Sequence, residues 1–70
     1  MKNNEDNLAR DACNDTLEFI QKMSYQYDPL MTAAYMVIQG FGLYKTLLSS
    51  EEYELMCEKI YNERHRIKEL

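Results

Sequence analysis

From Pro29 to Leu48 the chain carries a single charged side chain, Lys45, and the stretch from Tyr35 on reads YMVIQGFGLYKTLL. A segment this apolar must be sheltered from water, yet the whole chain has only 70 residues with which to shelter it. So small a body buries a modest share of its surface, and domains of this size are usually completed by a disulfide, a metal or a partner chain. The segment is not a membrane span. From Pro29 its uncharged run ends at Tyr44, before Lys45, is interrupted by Thr32 and Gln39, and falls short of the about 20 apolar residues that a span requires.

Two glycines and one proline are all the backbone punctuation there is, and no stretch alternates apolar and polar residues as a strand does. The periodicity is helical throughout, and it predicts an all-α fold of three helices over about 4–25, 29–47 and 50–68. In the first helix Leu8, Ala12, Thr16, Phe19, Ile20, Met23 and Tyr27 share a stripe, and Leu17 widens it. Asp28 and Pro29 mark the next start. The aspartate can accept from a free helix N–H, and proline fits the first helical position, where no N–H is missed. Ser49 with Glu52 forms a capping box, and Leu48 and Tyr53 are placed for a hydrophobic staple. The third helix has Tyr53, Met56, Cys57, Ile60, Tyr61 and Ile67 on its apolar side. Glu51, Glu52 and Glu54 suit its positive end, and Arg64, His65, Arg66 and Lys68 its negative end. Short connections predict an antiparallel hairpin stack, one domain over 1–70 with residues 1–4 disordered.

The second helix has two apolar stripes. Leu30, Ala34, Val37, Phe41, Tyr44 and Leu48 form one; Met36, Gly40, Leu43 and Leu47 form the other, roughly 110° away at 100° per residue. Thr32, Gln39 and Thr46 run as a polar row beside the second stripe. Two neighbouring helices could bury both stripes. Small residues favour another solution, in which the second stripe meets a second copy of the chain. Glycine inside a helix costs about 1 kcal/mol relative to alanine, so Gly40 and Gly42 imply a packing reason. The expected oligomer is a homodimer with Met36, Gly40, Leu43 and Leu47 at its interface.

Several functions are disfavoured. A net charge of −4 repels phosphate backbones, so no nucleic-acid partner is expected, and the basic cluster RHRIK sits between Glu63 and Glu69. GFGLYK lacks the spacing of a dinucleotide loop and the Gly-Lys-Ser/Thr of a P-loop. Cys57 and His65 would lie about 12 Å apart along one helix, too far for a nucleophile–base pair. With two cysteines and one histidine, one chain cannot supply a four-ligand zinc site of the usual kind. No catalytic, cofactor or metal residues are therefore assigned, and no enzyme is expected. The polar start has no apolar signal-peptide region, so a cytoplasmic location with reduced thiols and no membrane partner is expected.

The stretch YDPLMTAAYMVIQGFGLYKTLLSSEEYELM, Tyr27 to Met56, resembles small all-helical proteins of unknown function encoded by bacteriophages. It shares a Tyr-Asp-Pro helix start, an apolar helix ending near Leu-Tyr-Lys-Thr, and an acidic opening to the last helix. The resemblance implies a small cytosolic protein made during infection and carries over no catalytic residue. The expected function is that of an interaction protein, a modulator or inhibitor of a host protein. Six tyrosines are available, of which Tyr25 and Tyr35 are the least core-like and the best candidates for partner contact. The alternative is a nucleotide- or metabolite-binding protein with a pocket between protomers, lined by Tyr35, Gln39, Lys45 and Thr46.

Overall fold

A computed structural model describes residues 4–70, which form three α-helices and a final short turn. Helix α1 spans Asn4–Gln26, α2 spans Pro29–Leu47 and α3 spans Ser50–Asn62; a 3-10 turn follows at Arg64–Arg66. No strand occurs among the described residues. The all-α class and the first two helices agree with the periodicity to within a residue at each end. The expected disorder at the N-terminus concerns residues 1–3, which lie outside the described residues, and Asn4, which opens α1.

The boundaries form for local reasons. The Leu30 N–H donates to Asp28 Oδ1 at 3.1 Å, and the Thr32 N–H donates to the Asp28 carbonyl at 2.9 Å. The second bond is the first i→i−4 bond of the helix, and the first satisfies one of the donors that every helix start leaves free. At α3 the capping box is complete: the Glu52 N–H donates to Ser49 Oγ at 3.1 Å, and the Ser49 N–H donates to Glu52 Oε1 at 2.9 Å. The Ser49 backbone bond, with its side chain second, holds the Glu52 carboxyl below the ordinary glutamate value.

Helix α3 is shorter than the expected 50–68. It stops at Asn62, and Glu63 turns to φ −103°, ψ 13°. Two features account for this. The Arg64 guanidinium donates to the Tyr61 carbonyl at 2.7 Å and stacks 4.1 Å from the Tyr61 ring, satisfying an end carbonyl from a residue beyond the helix. Ile67, which was to extend the apolar side, is 70% exposed, so nothing is gained by continuing. Arg64, His65, Arg66 and Lys68 therefore lie past the end of α3, and Lys59 is the basic residue in its last turn.

The chain divides into two units, Met1–Met36 and Val37–Leu70, with the division inside α2. In the first, Leu17, Ile20, Met23, Ser24 and Met36 are half-buried and Thr32 is buried, whereas Leu8, Phe19, Tyr27 and Leu30 are exposed. The covered strip of α1 is thus rotated toward Leu17, the residue that seemed peripheral to the stripe. In the second unit, Phe41 meets Tyr44 and Tyr53 edge-on, with ring centroids 6.2 and 6.4 Å away. Such pairs contribute ~0.5–1.5 kcal/mol beyond the area they bury. Leu48, Met56, Cys57 and Ile60 of the same unit are half-buried. Among the described residues no hydrophobic side chain is fully buried.

Candidate interaction surface

The surface is built on α2, whose start is set by Asp28 and Pro29 and whose end precedes the Ser49 cap. On the first stripe Phe41, Tyr44 and Leu48 are half-buried, while Leu30 and Val37 stay exposed. On the second stripe Met36 is half-buried, but Leu43 is 59% and Leu47 70% exposed. A Cβ placed on Gly40 would meet nothing within 4 Å, and the same holds at Gly42. Among the described residues nothing lies close enough to either position to require a glycine.

The polar row behaves unevenly. Among the described residues Thr32 is the one that is buried, 6% exposed, and its hydroxyl has no hydrogen-bond partner there. Gln39 and Thr46 are exposed, and Thr46 Oγ1 donates to the Gly42 carbonyl at 3.1 Å within its own helix. Tyr25 and Tyr35 are both exposed, Tyr25 almost completely. Lys45 holds its ammonium 5.5 Å from the Tyr53 ring centroid and lines a shallow cleft of about 240 Å³ with Leu48, Ser50, Tyr53 and Glu54. The neighbouring Cys57 thiol, chiefly, and partial burial hold the Tyr53 hydroxyl above the ordinary phenol value.

The aromatic cluster of Phe41, Tyr44 and Tyr53 with Lys45 was not anticipated as a group. Its signal was present in the i, i+3 spacing of Phe41 and Tyr44 and the staple position of Tyr53. Both cysteines are free thiols, Cys13 exposed and Cys57 half-buried. Among the described residues no three His, Cys, Asp or Glu side chains gather as metal ligands would, and no helix is long and apolar enough to cross a membrane. No protein-family model matches the chain, and neither the curated proteins nor the solved structures compared with it include a match.

Proposed function

We propose that this chain is a small helical interaction protein that acts as a homodimer and modulates a second protein by binding it. The observation that carries this is the open second stripe: Leu43 and Leu47 are mostly exposed beside Gly40, where an added Cβ would meet none of the described residues within 4 Å. Apolar surface left uncovered on a soluble chain marks an interaction site. In the assembled form the three helices lie as antiparallel neighbours, and Met36, Gly40, Leu43 and Leu47 face their counterparts across a two-fold axis. That leaves the acidic faces and the exposed rings of Tyr25 and Tyr35 free for a target. The resemblance to phage-encoded helical proteins makes a cytoplasmic host protein the proposed target.

Leu43→Ser tests the seam. Burying the exposed part of one leucine is worth ~1–2 kcal/mol, and a two-fold interface counts it twice. The dissociation constant should rise about 30- to 1,000-fold, read by sedimentation equilibrium. A wild-type chain that sediments as an 8.4 kDa particle at high concentration would overturn the proposal. One competing function is binding of a nucleotide or metabolite; of the contacts expected for it, Tyr35, Gln39, Lys45 and Thr46, only Lys45 lines the cleft. A nucleotide that raises the melting temperature would support that alternative, because a ligand specific for the native state must stabilise it.

A further inference from the structure

We draw no further inference here: the strongest candidate, the shallow cleft that Lys45, Leu48, Ser50, Tyr53 and Glu54 line where α2 gives way to α3, belongs to the surface already described, its polar residues Lys45, Ser50 and Glu54 are all exposed, and nothing in the structure shows what it would hold.

Discussion

Replacing Thr32 with valine should stabilise the protein. Thr32 is 6% exposed, and its Oγ1 is buried without a partner. Other hydroxyls on the helices show what is missing. Thr16 Oγ1 donates to the Ala12 carbonyl at 2.8 Å, Ser24 Oγ to the Ile20 carbonyl at 2.9 Å, and Thr46 Oγ1 to the Gly42 carbonyl at 3.1 Å. At Thr32 the corresponding carbonyl, that of Asp28, accepts the Thr32 N–H but not the hydroxyl. A buried polar group without a partner carries its full desolvation cost, ~1–3 kcal/mol. Valine keeps the shape and the β-branch, so helix propensity hardly changes. The expected gain is about 1–2 kcal/mol, a rise in melting temperature of about 4–8 °C for each kcal/mol. Urea unfolding with an unchanged slope would measure it. Thr32→Ser keeps the hydroxyl and removes the methyl group, so it should destabilise. Thr16→Val and Thr46→Val, at exposed positions, should stay within about 0.5 kcal/mol of wild type. A loss of stability in Thr32→Val, with the controls neutral, would show that the hydroxyl is satisfied in the native state and refute the reasoning.

The Ser49 cap makes two linked predictions. Ser49→Ala should cost ~0.5–2 kcal/mol in urea unfolding, because the Glu52 N–H loses its acceptor. Glu52 has a lowered folded-state pKa, so its contribution is present above the ordinary glutamate value and disappears as pH falls through the lowered one. Glu52→Gln should flatten that acid limb, and an unchanged limb would assign it to other carboxylates. Arg64→Ala removes the bond to the Tyr61 carbonyl and the stacking on its ring. Hydrogen exchange should quicken at the Arg66 and Ile67 amides of the final turn, while global stability moves by less than about 0.5 kcal/mol.

What could be read from the sequence follows the range of the forces involved. Asp28 before Pro29, and Ser49 three residues before Glu52, act across a single turn, so α2 and α3 begin where those residues require. The end of α3 carries no such mark. No glycine or proline follows Asn62, and the stop depends on Arg64 folding back onto Tyr61 and on Ile67 having nothing to cover it. The double stripe of α2 follows from spacing alone. Which members of each stripe are covered was not legible, since Phe41 is sheltered beside Tyr53 while Leu43, two residues on, is not. The ligand contacts foreseen at Gln39 and Thr46 share a row with Thr32, yet their exposures differ sharply, because helical spacing assigns a side but not a neighbour.

By itself the sequence determined that the chain is helical, where its helices start, and that α2 carries two apolar stripes. Those properties come from hydrogen bonds and spacings within a turn or two. Only the tertiary structure decided that, among the described residues, no hydrophobic side chain is fully buried, a Cβ at Gly40 would meet nothing within 4 Å, and the one buried residue is a threonine. Burial depends on groups distant in sequence, and a pattern of residues records its own preferences for water without recording what will come to cover them.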